Sequence, residues 1–311
     1  MGTPKLSIVS TLYRSAPFLH DFYVRIKDTA DSLSCSYEIV LVNDGSPDES
    51  LALAHELAAL DERVRVINLS RNFGHHVAAF AAIEAAKGER VFLIDSDLEE
   101  HPEWLKLFSK VMDEKNADVV YGIQAKRTGL MGNLFYKLFN VLSSTPIPAN
   151  ACTVRLMRRA YVDALLHVRD RNMFMAGSFI WVGFQQVGVA VDKDTRREGR
   201  STYSLTRQIA LFVNAITSFS AKPLYAAFFA GAGFASAAAI IGLGLILRKV
   251  FYPETVIAGF TSLIVSIIFM GGMTIFFVGL IGIYIGKLFV EVKNRPLYII
   301  CPPEPSTETE E

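Results

Sequence analysis

Acidic residues cluster in the segment Asp95-Ser96-Asp97-Leu98-Glu99, which follows an apolar run. Two carboxylates one residue apart, just past a strand, can hold a divalent cation together with phosphate oxygens, as Mg²⁺ is usually held in proteins. The carboxylate of Glu99 offers a third oxygen ligand. Acidic residues in this position also commonly cap the next helix. By itself, the segment is consistent with either a metal site or a helix start.

Two earlier turns carry further polar side chains. The turn Val42–Asp48 contains Asp44, whose carboxylate can accept hydrogen bonds from a base or ribose, and Gly45, which permits a tight turn. The turn Ser70–Gly74 contains Arg71, a cation suited to a pyrophosphate. An ordinary Asx turn with a helix cap, and a surface arginine before a glycine turn, explain the same residues.

Short apolar runs alternate with longer helical patterns over the first part of the chain. The predicted strands are Leu6–Ser10, Glu38–Val42, Val64–Asn68, Val91–Ile94 and Asp118–Gly122. The predicted helices are Phe18–Ser34, Asp48–Leu60, His75–Ala86 and Pro102–Glu114. This alternation predicts a mostly parallel sheet covered by helices on both faces. Ligands of such sheets bind beyond the carboxyl ends of the strands, so Asp44, Arg71 and Asp95 are expected to converge on one crevice.

The following region, up to Tyr203, is less regular. It contains a basic stretch at residues 124–127, a predicted helix over Asn133–Leu142 and the proline-rich turn Thr145–Pro148. The stretch 203–222 places apolar residues on one helical face, typical of an interfacial helix lying in the headgroups. A helix packed on the sheet explains that pattern equally well.

Two long uncharged runs follow, Pro223–Leu247 and Thr255–Gly286. Each exceeds the roughly 20 apolar residues that cross a bilayer, and globular helices seldom pass about 25 residues. Transmembrane helices are therefore predicted over 223–250 and 255–286, followed by a tail over 287–311. The spacing Gly282-x-x-x-Gly286 allows helix contacts within one chain or in a homo-oligomer.

Topology follows from counting. No signal peptide precedes the first strand, so the front domain is expected in the cytoplasm. Two spans return the C-terminus to that side, in agreement with the basic residues Lys287, Lys293 and Arg295 after the second span. Arg248 and Lys249 in the connecting loop point the other way. The prediction is a multi-pass protein of the inner (cytoplasmic) membrane with both termini cytoplasmic.

Charge and cysteine usage exclude other classes of protein. Lys and Arg number 31, as do Asp and Glu, so no overall field attracts nucleic acid. Cys35, Cys152 and Cys301 lack metal-ligand spacing and are expected to be unpaired thiols in a reducing compartment. His75 and His76 are expected at a solvent-facing helix start.

The turns Val42–Asp48, Ser70–Gly74 and Asp95–Glu99, at this spacing, resemble family 2 glycosyltransferases. With two following spans the chain is similar to their polyprenyl-phosphate type, which includes dolichol-phosphate mannose synthases and bactoprenol-phosphate glucosyltransferases. The resemblance extends to Arg155–Arg159, to Arg196-x-x-Gly199-x-Ser201-x-Tyr203 and to Ser218–Leu224. It implies a Rossmann-like nucleotide-diphospho-sugar (GT-A) domain, α/β in class, over residues 1–202.

The resemblance also implies roles for individual residues. Asp44 would contact the nucleotide of the UDP- or GDP-sugar donor, and Asp95, Asp97 and Glu99 would hold Mg²⁺ or Mn²⁺ against its diphosphate. The residues implied for the polyprenyl phosphate acceptor are Arg127, Arg196 and Ser201. The implied reaction inverts the anomeric configuration, and Asp97, Arg127 and Arg196 are the implied catalytic residues.

Four positions depart from the family pattern. Glu99 replaces the usual glutamine, Thr153 replaces an acidic residue, Thr202 replaces a lysine, and Gln124 replaces an arginine. The extra negative charge of Glu99 is expected to alter the metal or donor preference.

Two other functions are compatible with a chain of this kind. A processive polysaccharide synthase would carry a Gln-x-x-Arg-Trp element, which neither Trp104 nor Trp181 completes. A non-catalytic, membrane-tethered protein that binds sugar nucleotides would explain the departures, whereas the intact pair Asp95 and Asp97 favours an enzyme.

Overall fold

The computed structural model describes residues 3–124, 140–141, 146–171, 173–193, 217, 220–251 and 260–302. The chain forms two compact units. The first contains a seven-stranded sheet and the segment that begins at Asn294, and the second contains two long helices.

The sheet is mixed rather than purely parallel. Its strands are β1 (Leu6–Leu12), β2 (Tyr37–Asn43), β3 (Val64–Asn68), β4 (Arg90–Leu93), β5 (Val119–Gln124), β6 (Ala151–Arg158) and β7 (Gln186–Val191). They lie in the order β3-β2-β1-β4-β6-β5-β7. Only β6 runs antiparallel to its neighbours, β4 and β5. The predicted mostly parallel sheet is confirmed, with one antiparallel strand that was not predicted.

Helices cover both faces of this sheet. They are α1 (Ala16–Asp31), α2 (Ser50–Leu60), α3 (His75–Ala85), α4 (Trp104–Lys115), α5 (Arg159–Leu166) and α6 (Met175–Trp181). Successive residues of β2 alternate between two apolar clusters: Ile39 and Leu41 pack with α1 and α4, whereas Val40 and Val42 pack with α3, α5 and α6. This alternation follows from the two-residue period of a strand. It explains why β2 is a continuous apolar run.

Helix α3 is rich in alanine because it packs closely on the sheet. Every residue from Ala78 to Ile83 is buried, including four alanines. Small side chains let the helix backbone approach the strands closely. As a result, His75 at the start of α3 lies beside the carboxyl end of β1, where its ring contacts Thr11.

The irregular middle region contains four elements that were not predicted: β6, α5, α6 and β7. Strand β6 carries Arg155 in its interior, where the guanidinium lies 3.2 Å from the ring centroid of Phe179. Its donors bond the carbonyls of Thr153, at 3.0 Å, and Cys152, at 3.2 Å. Burial lowers the pKa of Arg155 to about 10. The helix predicted over 133–142 and the interfacial helix predicted over 203–222 lie almost entirely outside the described residues.

The second unit contains α7 (Lys222–Phe251) and α8 (Phe260–Val292), which cover most of the two predicted spans. Among the described residues, one stretch, Phe269–Val292, is long and apolar enough to cross a membrane. None of the most apolar part of this stretch is buried. The Tyr284 hydroxyl donates to the Ser220 carbonyl at 2.7 Å. Membrane crossing by both helices stays a prediction.

Residues 294–302, here called the C-terminal strap, pack on the first unit. Ile300 forms an antiparallel bridge with Leu69, just beyond β3. The Ser70 amide donates to the Ile299 carbonyl and the Cys301 amide to the Asn68 carbonyl, both at 2.8 Å. Leu297 and Tyr298 lie against the apolar cluster around α3. The strap therefore extends the edge of the sheet next to the Arg71 turn. Cys301, like Cys35 and Cys152, is unpaired as predicted.

Candidate active site

The turns after β1, β2, β3 and β4 meet at one edge of the sheet. The amide of Asp44 donates to the carbonyl of Leu12 at 3.0 Å, and the Asn43 side chain donates to that of Asn68 at 2.9 Å. The Ser96 hydroxyl donates to the Thr11 carbonyl at 2.9 Å. These bonds link the turns, so the predicted convergence of Asp44, Arg71 and Asp95 is found.

Asp44 is buried and faces the Arg71 turn. Its carboxylate accepts hydrogen bonds from the amides of Phe73, at 2.7 Å, and Gly74, at 3.0 Å. The Asn72 side chain donates to its carbonyl at 3.1 Å. Burial raises the pKa of Asp44, and the two amide donors oppose that shift. The structure thus assigns Asp44 the positioning of this turn, while its predicted contact with a nucleotide stays a prediction.

Gly45 permits the two turns to touch. Its φ of +60° lies in the left-handed region, and a Cβ there would lie 2.5 Å from the backbone nitrogen of Asn72. Glycine is therefore required both for the turn and for the close approach. On the facing turn, the exposed Arg71 guanidinium lies 4.2 Å from the ring centroid of Phe73. This contact holds a cation at the rim of the crevice.

The acidic segment after β4 curves through a strained residue. Leu98 has a φ of +59°, a conformation that L-residues other than Asn and Asp rarely adopt. The Asp97 carboxylate accepts the Glu99 amide at 3.1 Å. Burial raises the pKa of Asp95, with Asp97 adding to the shift and Lys193 opposing it. Asp95 and Asp97 therefore lie close enough to influence each other.

Two charged residues of this site, Glu100 and Lys193, were not predicted. Glu100 is fully buried, and its Oε1 accepts the Val154 amide at 3.4 Å. The ammonium group of Lys193, which follows β7, lies 3.1 Å from Glu99 and 3.7 Å from Glu100. Burial alone would lower the pKa of Lys193, but the charges of Glu100 and Glu99 outweigh it and raise that pKa. The adjacent acids at 99 and 100 were the only sequence signal for this cluster.

His75 also faces the site. Helix α3 begins at His75 and the His75 side chain is 43% exposed, so the predicted solvent-facing helix start is confirmed. The ring also contacts the site. Its Nδ1 lies 3.2 Å from the Thr11 hydroxyl and its Nε2 3.6 Å from Asp95 Oδ1. Burial lowers the pKa of His75, which favours the neutral ring beside the Asp95 carboxyl.

The predicted metal ligands Asp95, Asp97 and Glu99 lie in one acidic segment at the edge of the sheet. Within the described ranges, no three His, Cys, Asp or Glu side chains converge closely enough to hold a metal ion as they stand. Asp95 Oδ1 is nevertheless a buried carboxylate oxygen with no hydrogen-bond partner in that part of the chain. Such an oxygen, beside Asp97 and Glu99, fits a hard divalent cation, which prefers oxygen ligands.

The predicted acceptor residues Arg127, Arg196 and Ser201 lie outside the described residues. The strands that lead to them are described. Gln124 of β5 pairs with Val191 of β7 in a parallel register. Strands β5 and β7 therefore end side by side, at the edge where ligands of such sheets bind.

The mixed sheet, with helices on both faces and polar turns at its carboxyl edge, defines a class of α/β protein. Comparison of the sequence with known families identifies that class. Residues 7–166 match the model of glycosyl transferase family 2, and the chain belongs to that family. The fold is accordingly GT-A-like.

Three relatives match along almost the whole chain. A Mycobacterium tuberculosis protein whose name assigns it to the glycosyltransferases is 42% identical, over 95% of this chain and 87% of its own. An uncharacterized glycosyltransferase of Bacillus subtilis is 35% identical, over 94% of this chain and 92% of its own. The SfII prophage-derived bactoprenol glucosyl transferase of Shigella flexneri is 33% identical, over 95% of this chain and 97% of its own. The resemblance to the polyprenyl-phosphate type is thereby confirmed.

Proposed function

We propose that this protein transfers one sugar from a UDP- or GDP-sugar to a membrane polyprenyl phosphate, with inversion at the anomeric carbon. The observation that carries the proposal is the convergence of the Asp44, Arg71 and Asp95 turns at one edge of the sheet, in a chain that continues into long apolar helices. Similarity to a bactoprenol glucosyl transferase over most of both chains supports a lipid acceptor. The product would serve cell-surface glycan synthesis.

The donor would bind across the linked turns. Asp44 fixes the Arg71 turn through its two amide bonds, so the Arg71 guanidinium is oriented before the pyrophosphate arrives. Asp95, Asp97 and Glu99 would hold Mg²⁺ or Mn²⁺. A bound divalent ion would stabilise the negative charge that develops on the leaving diphosphate. Preorganised cations of this kind contribute more inside a site than in water.

The acceptor needs no dedicated base. A phosphate monoester has a second pKa of about 6, so it is largely doubly ionised near neutral pH. Its oxygen attacks the anomeric carbon while the bond to the diphosphate breaks, and the nucleoside diphosphate leaves with the electron pair. Arg127, Arg196 and Ser201 are proposed to bind the lipid phosphate, since arginine suits phosphate oxygens. The strands that precede the two arginines end side by side, at Gln124 and Val191, which supports a shared role for them.

The C-terminal strap supports the predicted topology. Because residues 294–302 pair with β3 and its extension, the chain up to Tyr203, apart from Leu138–Thr145, and the chain from Asn294 onward belong to the same unit. A chain that leaves this unit and returns to it crosses a membrane an even number of times, or not at all. We therefore propose two spans in the inner membrane, with the catalytic unit and both termini cytoplasmic.

The test is a transfer assay with membranes that contain the full chain. They are incubated with Mn²⁺, polyprenyl phosphate and a panel of radiolabelled UDP- and GDP-sugars, and label is counted in the extracted lipid. Asp97→Ala should abolish transfer. The matched control is Asp163→Ala, which removes an exposed aspartate of α5 and should leave transfer intact.

The other outcomes identify the alternatives. Donor binding without transfer or hydrolysis, by a folded protein, would favour a non-catalytic sugar-nucleotide-binding protein. A ladder of products with increasing sugar number would favour a processive synthase. Either result would refute the proposed single transfer.

A further inference from the structure

Lys193 reaches the acidic segment from the opposite side of the site. It lies just beyond β7, at the edge of the sheet, whereas Glu99 and Glu100 follow β4, three strands away in the order β4-β6-β5-β7. Its ammonium group nevertheless lies 3.1 Å from Glu99 Oε2. Glu100 accepts a hydrogen bond from the Val154 amide of β6, so the acidic segment extends from β4 over β6 and meets Lys193 there.

This contact is a partly buried ion pair rather than a surface salt bridge. The side chains of Lys193, Glu99 and Glu100 are 23%, 14% and 0% exposed. Carboxylates are rarely buried unless a partner compensates the lost hydration. Glu100 Oε2 has no hydrogen-bond partner in the described part of the chain, while Lys193 lies 3.7 Å from Oε1 and the buried Arg155 also interacts electrostatically with this carboxylate. Lys193 thus contributes to neutralising two carboxylates that are largely shielded from water.

The pair also balances the charge of the acidic segment. Glu99 adds one negative charge beside Asp95 and Asp97 at the predicted metal site. The ammonium of Lys193 lies against that added carboxylate. The net charge of the two side chains together is zero, as it would be for glutamine alone.

We propose that Lys193 is a positioning residue that occupies Glu99 until the donor diphosphate arrives, so that a divalent metal binds tightly only together with the nucleotide diphosphate. This inference rests on the proposed function, because it assumes that Glu99 contributes to the metal site. Without nucleotide, the ammonium and the metal compete for the same carboxylate oxygen. With nucleotide, the diphosphate brings negative charge that accommodates both cations.

The experiment measures Mn²⁺ binding by the full-length protein in detergent, with and without UDP, by loss of the electron paramagnetic resonance signal of aqueous Mn²⁺. Wild-type protein should bind Mn²⁺ weakly alone and much more tightly with UDP. Lys193→Met removes the competing cation, so it should bind Mn²⁺ alone about tenfold more tightly, a change of about 1.4 kcal/mol. The enhancement by UDP should shrink by a similar factor.

Three controls separate this role from general damage. Lys193→Arg keeps a cation and should retain the wild-type dependence on UDP. Lys110→Met removes an exposed lysine of α4 that pairs with Glu114 and should change neither affinity. In a Glu99→Gln background, Lys193→Met should tighten Mn²⁺ binding less than in the wild type, because the carboxylate in competition is gone. Thermal unfolding checks each fold, and Lys193→Gln replaces Lys193→Met if that variant is unstable.

The possible failures are distinguishable. Wild-type protein that binds no Mn²⁺ even with UDP would overturn the metal-dependent transfer itself, and with it this inference. Wild-type protein that binds Mn²⁺ with UDP, together with a folded Lys193→Met variant of unchanged or weaker affinity for Mn²⁺ alone, would overturn only the role of Lys193.

Discussion

Replacing Gly45 with alanine tests the contact between the Asp44 and Arg71 turns. A Cβ at Gly45 would lie 2.5 Å from the Asn72 nitrogen and 2.7 Å from the Arg71 carbonyl carbon. Both atoms belong to the backbone, so no side-chain rotation relieves the overlap. The Arg71 turn must move, or the Gly45 turn must open.

The expected cost has two parts. An L-residue in the left-handed conformation costs about 1–2 kcal/mol, and overpacking against a fixed neighbour typically adds about 1–3 kcal/mol. Gly183→Ala is the matched control, because Gly183 has a φ of +78° with nothing within 4 Å of a Cβ. It should show only the first part, so the difference between the variants reports the contact.

The assay is thermal unfolding of the detergent-solubilised protein, together with UDP affinity. Since about 1 kcal/mol shifts the melting temperature by roughly 2–4 °C in a domain of this size, Gly45→Ala should melt several degrees below Gly183→Ala. It should also bind UDP more weakly, because the displaced turn carries Arg71. Equal melting temperatures and equal UDP affinities in the two variants would refute the close approach of the turns.

Three further substitutions test the charged and polar contacts. Asp95→Asn should raise the melting temperature of the metal-free protein, and more at pH 8 than at pH 5. Burial raises the pKa of Asp95 in the native state, so this carboxyl costs increasing stability as the pH rises above the unfolded pKa of about 3.9, and costs most once the pH exceeds the native pKa; melting curves at both pH values check this. Asp44→Asn keeps an acceptor for one of the two backbone amides that donate to Asp44 and sets an NH2 donor against the other. It should cost about 1–3 kcal/mol and weaken UDP binding, measured by unfolding and calorimetry. Tyr298→Phe removes the bond to Glu84, and should cost about 0.5–1.5 kcal/mol and speed proteolysis of the strap.

Each of these has a contradicting result. A melting gain for Asp95→Asn that is larger at pH 5 would reverse the assigned sign. Full UDP affinity in Asp44→Asn would show that the Arg71 turn does not depend on the carboxylate. Unchanged strap proteolysis in Tyr298→Phe would show that other contacts anchor the strap.

The front half of the sheet was predictable because β1, β2 and β4 are largely apolar runs buried along almost their whole length and β3 is a short, mostly apolar run at the edge of the sheet. Strand β3 (Val64–Asn68) was predicted with its exact bounds, and β1, β2 and β4 within two residues at each end. Strand β6 was missed because it holds Arg155, which is stabilised by carbonyls and by the ring of Phe179. The residues next to Arg155 in the sequence do not indicate that it is buried, because its partners are brought to it by the tertiary fold.

The parts of the site that were predicted consist of residues close together in the sequence. The parts that were missed are contacts between residues far apart in the sequence. Asp95 and Asp97 form a short motif, and the convergence of their turn with that of Asp44 follows from strand order. The contacts of Lys193 with Glu99 and of Ile300 with Leu69 join distant segments through the sheet edges. Such pairs follow from tertiary structure, which a single sequence does not reveal.

The mass of the lipid product distinguishes a single sugar transfer to a lipid phosphate from every other outcome. Polyprenyl phosphate is incubated with the full-length protein, Mn²⁺ and an excess of the donor that labels lipid, and the extract is analysed by mass spectrometry. We expect the lipid to gain the mass of one sugar and no more, and Asp97→Ala to yield no glycosylated lipid. Unmodified lipid with every donor, or a series of products with several sugars, would contradict it.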